Sequence, residues 1–217
     1  MQSETAPGTA KPTLRGWQHA AMFPIAVVAG ALLVATAPTT AGRISSAIFA
    51  TTAVLLFGVS ALLHRGTWTP KAEALLRRVD HANIYLIIAG TYTPFAVLAL
   101  PQNEGKVLLA IVWAGALVGV ALRVFWIGTP RWLSTTLYVV VGWIVVFFIP
   151  DLIEEAGAGV VVLVALGGIL YTIGAIVYAT KWPNPSLRRY GFHEVFHSLT
   201  IAAFTAHYVA VWLVVHQ

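Results

Sequence analysis

The sequence contains no cysteine, and only 10% of its 217 residues are charged. Without cysteine, the chain cannot form disulfide bonds, thiolate metal sites or a cysteine nucleophile. An average soluble domain has roughly 25% charged residues, whereas this chain is 59% hydrophobic. A soluble fold could not bury that much apolar surface, so the composition predicts an integral membrane protein. The net charge of +5 is therefore interpreted through its placement relative to the membrane, and nucleic acid is not an expected partner.

Seven apolar segments are long enough to cross a bilayer as helices, which takes roughly 20 residues each. The segments lack the polar alternation of a transmembrane barrel, so strands are not expected. The predicted fold is an all-α bundle of seven transmembrane helices that forms a single domain over 15–217, after a disordered cytoplasmic tail at 1–14. The charged stretches 65–78 and 151–157 are interpreted as loops. The predicted spans are 19–37, 44–64, 81–100, 106–126, 132–150, 158–180 and 193–215.

The distribution of basic residues predicts the orientation. With the N-terminus in the cytoplasm, all Lys and Arg residues lie on the inner side except Arg43 and Lys106. Because the loops are short, the positive-inside rule predicts a cytoplasmic N-terminus and, with seven spans, an external C-terminus. The first span ends in a sequence that resembles a signal-peptidase site, Ala35-Thr36-Ala37, but its apolar run is longer than that of a signal peptide, so we expect it to be retained. The expected location is the cell membrane, plasma or inner, with multiple passes.

Polar side chains collect at the inner ends of three predicted spans, where ionisable groups are costly and mark functional sites. Ser60 and His64 are four residues apart and share one face of span 2, and His193 and His197 do the same on span 7. Asp80 stands at the inner start of span 3. The predicted orientation puts all five at the same depth. Three helix ends can therefore present three imidazoles and a carboxylate to one another.

This set of side chains predicts a zinc site. Neutral imidazole is a good zinc ligand, and a catalytic zinc typically has three protein ligands and a water. His193 and His197 can reach one ion from adjacent turns, and His64 completes the three. Zinc lowers the pKa of its bound water to roughly 7, and Asp80 is the predicted group that orients this water or takes its proton. Ser60 is expected to hydrogen-bond the water or a substrate oxyanion.

A second interpretation of the same helix concerns Glu194. Residues 193–197 read H-E-x-x-H, the pattern of zinc metalloproteases in which the glutamate is the general base. Asp80 and Glu194 are therefore alternative bases. The structural alternative for Glu194 is an ion pair with a basic loop such as Arg188-Arg189.

Two further histidines are expected to be structural. His81 lies at a helix boundary beside Asp80, and His207 lies about 15 Å further along the last helix than His197, too far to share an ion with it. Gly90, in the third span, is expected to let a neighbouring helix approach closely.

Four short motifs resemble the hemolysin III branch of the progestin and adipoQ receptor family, which includes the adiponectin receptors. They are Ser60-Ala-Leu-Leu-His64, Asp80-His81, Ile88-Ala-Gly-Thr-Tyr-Thr-Pro94 and His193-Glu-Val-Phe-His197. The resemblance implies a seven-helix bundle with the N-terminus inside and a zinc ion near the cytoplasmic face. It also implies that His64, His193 and His197 are the ligands, with the Asp80 carboxylate near the zinc-bound water and Ser60 close by. The receptor branch has Gln at the position of Glu194, which favours Asp80 as the base.

The resemblance also implies a class of reaction, because family members are linked to ceramidase-like amide hydrolysis. The first hypothesis is therefore a zinc-dependent intramembrane hydrolase that acts on a lipid amide or ester. The alternatives are a non-enzymatic zinc-binding lipid sensor, an intramembrane metalloprotease that uses Glu194, and a cytolytic pore. The pore ranks lowest, because no span carries a polar stripe long enough to line a channel. A membrane lipid is the expected substrate or ligand, and a homo-oligomer is left open.

Overall fold

A computed structural model describes residues 12–126 and 130–217, apart from the side chain of Arg131. Apart from an isolated bridge between Ser186 and Tyr190, these two ranges contain no β structure. The predicted all-α class is therefore confirmed. The helices are α1 Trp17–Thr36, α2 Thr40–Arg65, α3 Pro70–Leu98, α4 Gln102–Phe125, α5 Arg131–Gly142, a 3₁₀ helix Ile144–Phe148, α6 Ile149–Ala156, α7 Ala158–Thr180 and α8 Phe192–Val215.

Six segments of the described ranges are long and apolar enough to cross a membrane, which makes the chain an integral membrane helical bundle. Five are the single helices α1, α2, α4, α7 and α8, and the sixth is Trp132–Ala156, which joins α5, the 3₁₀ helix and α6. The predicted span 81–100 lies in α3, which is not among the six.

Helix α3 is less apolar than its neighbours because it lies inside the bundle. It packs against α2, α4, α5 and α8, and its residues 89–96 are buried without interruption. Protein surrounds this helix, so it can carry polar side chains such as Asn83, Thr91 and Thr93, all buried. Thr91 and Thr93 donate their hydroxyls to the carbonyls of Ile87 and Ala89.

The start of α3 differs from the prediction. The helix begins at Pro70 instead of residue 81, because Thr69 accepts a hydrogen bond from the Ala72 amide as an N-cap and Pro70 occupies the first turn. The charged stretch up to Arg78 was interpreted as a loop, yet Lys, Ala, Glu, Leu and Arg are all good helix formers. Arg77 also pairs with Glu73 one turn earlier, at 2.6 Å.

The predicted loop 151–157 is likewise mostly helical, since α6 extends to Ala156. The predicted disordered tail 1–14 lies mainly outside the described residues. Its last part is described and is bonded to the rest of the chain, because the amides of Thr13 and Leu14 donate to the carbonyls of Arg188 and Arg189. The single-domain assignment of 15–217 stays a prediction.

The span predicted over 132–150 is interrupted, and a tyrosine from α3 hydrogen-bonds the backbone at the interruption. α5 ends at Gly142, and the chain continues as a 3₁₀ helix. The Tyr92 hydroxyl donates to the Gly142 carbonyl at 2.7 Å and accepts from the Val145 amide at 3.0 Å. Beside it, Trp143 donates its indole N–H to the Thr172 hydroxyl of α7. The two Tyr92 bonds satisfy backbone groups that would otherwise lack partners inside the bundle.

Replacing Tyr92 by phenylalanine tests this role. The Tyr92→Phe change leaves the Gly142 carbonyl and the Val145 amide without their partner, at a cost of roughly 1–3 kcal/mol. We expect a lower unfolding temperature in detergent, measured by tryptophan fluorescence. Tyr171→Phe is the matched control, because the Tyr171 hydroxyl has no hydrogen-bond partner among the described residues. Equal unfolding temperatures for the two variants would contradict the role given to Tyr92.

Candidate metal centre

Three imidazoles meet between the end of α2 and the start of α8. His64, His193 and His197 each place a ring nitrogen within 4.8 Å of the others. The Nε2 atoms of His64 and His193 are 3.1 Å apart. His193 and His197 are buried, and His64 is partly exposed. The structure therefore brings together the three residues that the sequence proposed as ligands, and this cluster could hold a metal ion.

The local sequence explains why these helix ends meet. Gly16, just before α1, has a φ of 79°, a conformation that strongly favours glycine. A Cβ atom at this position would lie 2.6 Å from the Cβ of His64, so a larger residue would push α1 and α2 apart. On the other side, Glu194 accepts a hydrogen bond from the Gly191 amide at 2.8 Å. This contact caps the first turn of α8, which carries His193 and His197.

One nitrogen spacing in the cluster fits a tetrahedral metal ion. Zn–N bonds of about 2.0–2.1 Å place two nitrogens on one tetrahedral ion roughly 3.3 Å apart, close to the 3.1 Å between the Nε2 atoms of His64 and His193. The Nδ1 atoms of His193 and His197 are buried without a hydrogen-bond partner. An ion bound at Nε2 of His193 would leave Nδ1 to carry the ring proton, so the metal assignment rests on the spacing of the Nε2 atoms.

Ser60 and Asp80 lie on the wall of a cavity that His193 and His197 also line. Ser60 is buried, one turn before His64 on α2. Asp80 comes from α3 and is not part of the group of mutually close ligand atoms found in the described residues. The Asp80 carboxylate therefore shares a cavity wall with His193 and His197.

The ion pair of Glu194 differs from the expected one. Its Oε1 atom pairs with Arg15 at 2.5 Å, and its Oε2 atom accepts from Gly191. Glu194 is 1% exposed, so both oxygens are engaged in the interior. The basic residues Arg188 and Arg189, which the sequence suggested as partners, instead accept backbone hydrogen bonds from the segment before Arg15. Arg15 was missed because it is 179 residues from Glu194 in the chain.

The two histidines expected to be structural make ordinary contacts. His81 places Nδ1 at 2.6 Å from the Arg77 carbonyl and Nε2 at 3.0 Å from the Tyr178 hydroxyl. His207 places Nε2 at 3.1 Å from the Val164 carbonyl. Its ring packs against Gly167 of α7, so it contributes to the contact between the last two long helices.

Sequence reasoning missed a fourth histidine at the site. His19, in the first turn of α1, is 2% exposed. Its ring stacks on that of His197, with centroids 3.7 Å apart and planes at 9°. The signal was present in the sequence, because His19 is an ionisable residue at the inner start of span 1, at the depth predicted for the other three histidines.

A long, mostly apolar cavity extends from the histidine cluster through the bundle. Along α3 its wall runs from Asp80 to Phe95, which corresponds to roughly 22 Å of helix. His193, His197, Ser60 and Asp80 lie at one end, and the imidazole of His207 lines the wall further along. The remaining wall is mainly aliphatic and aromatic, with lining residues that include Ile84, Ile88, Phe95, Val145, Leu152, Val161, Val164 and Phe196.

Metal content of the purified protein tests the cluster. We expect about one metal ion per chain in the wild type, and loss of the ion in His64→Ala, His193→Ala and His197→Ala, because a site with two protein ligands holds zinc weakly. Inductively coupled plasma mass spectrometry measures this directly. His207→Ala is the matched control on the same helix and should keep the ion. Metal content that is unaffected by the three substitutions would overturn the assignment.

Comparison with known proteins identifies the family of the chain. The sequence profile of the family described as Haemolysin-III related matches residues 8–208. The hemolysin-3 homolog of Bacillus subtilis (strain 168) is 36% identical over 169 residues, which cover 77% of this chain and 76% of that protein. The hemolysin-3 of Bacillus cereus is 38% identical over 141 residues, 64% of each chain. The chain is a multi-pass membrane protein that belongs to the hemolysin III branch of the progestin and adipoQ receptor family.

Proposed function

We propose that this protein is a zinc-dependent intramembrane hydrolase that cleaves a lipid amide or ester. One observation carries the proposal: His193 and His197, two of the three imidazoles that could share a metal ion, line a long and mostly apolar cavity. A hydrolase for lipids needs both parts, a group that activates water and an apolar space that accepts the acyl chain.

The proposed topology has seven spans with the N-terminus in the cytoplasm. α3 supplies the seventh, since it packs along both α2 and α4 and short connections join it to each. A 29-residue helix is roughly 43 Å long, which exceeds the hydrocarbon core of about 30 Å. The basic residues favour the cytoplasm for the N-terminus, so the metal centre would lie near the inner face of the cell membrane.

Zinc is the proposed metal, because imidazole is among its preferred ligands and the nitrogen spacing suits tetrahedral coordination. When bound, zinc would polarise the substrate carbonyl and lower the pKa of a water. His64, His193 and His197 would hold it, which leaves a fourth position open for the reaction.

Side chains of the protein are proposed to carry out the remaining steps of the reaction. The Asp80 carboxylate is the proposed general base, which takes the proton from the attacking water and then returns it to the leaving nitrogen or oxygen. Ser60 would donate its hydroxyl to the oxygen that gains negative charge. Glu194 is not the proposed base, because Arg15 and the Gly191 amide engage its two oxygens. The apolar wall would receive the acyl chain and exclude bulk water from the carbonyl.

A non-enzymatic, zinc-binding lipid sensor is the second candidate. The burial of His193 and His197 favours it, since buried ligands also suit a permanent structural ion. A structural zinc site is normally closed by four protein ligands, so this candidate requires Asp80 to bind the ion directly. The exclusion of Asp80 from the close ligand group supports the hydrolase instead.

Substitution of the two acidic residues separates the mechanisms. We expect Asp80→Asn to keep zinc and to lose hydrolysis by at least about 100-fold, in line with removal of a general base. Glu194→Gln leaves the buried Arg15 without its charge partner, so we expect a lower unfolding temperature. The folded fraction should keep most activity per bound zinc, because glutamine preserves an acceptor for the Gly191 amide. The readout is fatty acid released from ceramide and from a panel of lipid amides and esters by the protein in lipid nanodiscs. Full hydrolysis by Asp80→Asn would exclude Asp80 as the base. Loss of zinc in Asp80→Asn would favour the sensor.

A further inference from the structure

His19 is the one imidazole at the metal centre whose role is unexplained. It is buried to 2% exposure, and neither its Nδ1 nor its Nε2 has a hydrogen-bond partner. Buried imidazoles normally satisfy at least one nitrogen. The described residues around His19 instead supply apolar or stacking contacts, with Phe57 edge-on at 5.1 Å and His197 face-to-face at 3.7 Å.

The ring planes exclude His19 from the ligand set. A metal ion bound to imidazole lies in the plane of the ring, along the lone pair of the nitrogen, at about 2.0–2.1 Å. The planes of His19 and His197 are within 9° of parallel, with centroids 3.7 Å apart. An ion in the plane of His197 would therefore lie well out of the plane of His19, where His19 offers no lone pair. His19 is accordingly outside the close ligand group formed by the other three histidines.

The cavity provides a place for a partner. His19 lines it together with Ser60 and Asp80, so a molecule in the cavity can reach its ring. A neutral imidazole offers one N–H donor and one acceptor nitrogen. A carbonyl group of a lipid, seated next to the metal ligands, would accept from the donor nitrogen and relieve part of the cost of burying it.

We propose that His19 is a substrate-binding residue, which donates a ring N–H to the carbonyl oxygen of the bound lipid while its face packs on the ligand His197. This inference rests on the proposed function, because it takes the occupant of the cavity to be a lipid with a carbonyl group. It adds a contact from α1 to a site otherwise built from α2, α3 and α8.

Two probes isolate this contact in the zinc-loaded protein. The first is a methyl ketone with a dodecyl chain and a terminal pyrene, which keeps the carbonyl oxygen and cannot be hydrolysed. The second is pyrenyl-dodecane, which has the same chain and label without the carbonyl. Binding is followed in detergent by energy transfer from tryptophan to pyrene, since Trp143 lines the cavity. Zinc per chain is measured on the same samples.

The decisive variant is His19→Phe, which keeps an aromatic face for His197 and removes both nitrogens. We expect unchanged zinc, unchanged affinity for pyrenyl-dodecane and roughly tenfold weaker binding of the ketone, the size of one lost hydrogen bond. His19→Gln restores a donor without the ring and should recover part of the ketone affinity. His216→Phe is the matched control, because His216 stacks on Trp212 at the other end of α8 and should bind both probes normally.

The outcomes separate this inference from the proposed function. If the wild type prefers the ketone but His19→Phe binds it equally well, the role of His19 is wrong while the lipid-binding cavity stands. If His19→Phe loses zinc, His19 supports the metal and is not a substrate contact. If the wild type binds neither probe, the proposed lipid function fails, and the inference that depends on it fails too.

Discussion

Imidazole nitrogens that are buried in a helical bundle need a proton, a hydrogen-bond partner or a metal ion. This requirement determines which contacts surround the histidines at the end of the bundle around His64. His64 comes from α2 and the other two ligand candidates, His193 and His197, come from α8, where both leave Nδ1 atoms unpartnered. Apolar helices alone would not hold such groups together. They are held by polar contacts from distant parts of the chain, among them the Arg15–Glu194 ion pair and the cap that Glu194 forms with Gly191.

The same constraint explains how polar groups are distributed along the cavity. The wall of the cavity is mostly apolar beyond the histidine cluster, with polar groups further along that include His207. At the interrupted helix after α5, a backbone break would expose unpaired groups. There Tyr92 bonds both the Gly142 carbonyl and the Val145 amide. α3 therefore contributes at two levels, with Asp80 on the cavity wall and Tyr92 about three turns further along.

Much of the fold could be predicted from the sequence, because apolar runs of fixed length report directly on helices in a membrane. The grouping of His64, His193 and His197 could also be predicted. The basic loops put the inner ends of spans 2 and 7 on the same side of the membrane, and the four-residue spacing puts His193 and His197 on one helix face. The start of α3 was misplaced because charged helix formers after Thr69 carry no apolar signal. The break after Gly142 depends on Tyr92, 50 residues earlier, and no local pattern indicates it. The ion pair of Arg15 likewise depends on a distant partner on α8, whereas His19 could have been found from its position at the inner start of span 1.

The central claim is that the three imidazoles bind one metal ion and leave a position open. X-ray absorption at the zinc edge of the purified protein in lipid nanodiscs tests this most directly. We expect a four-coordinate ion with three imidazole nitrogens at about 2.0–2.1 Å and one oxygen ligand. A shell made mainly of oxygen, or one with fewer than three imidazoles, would contradict it.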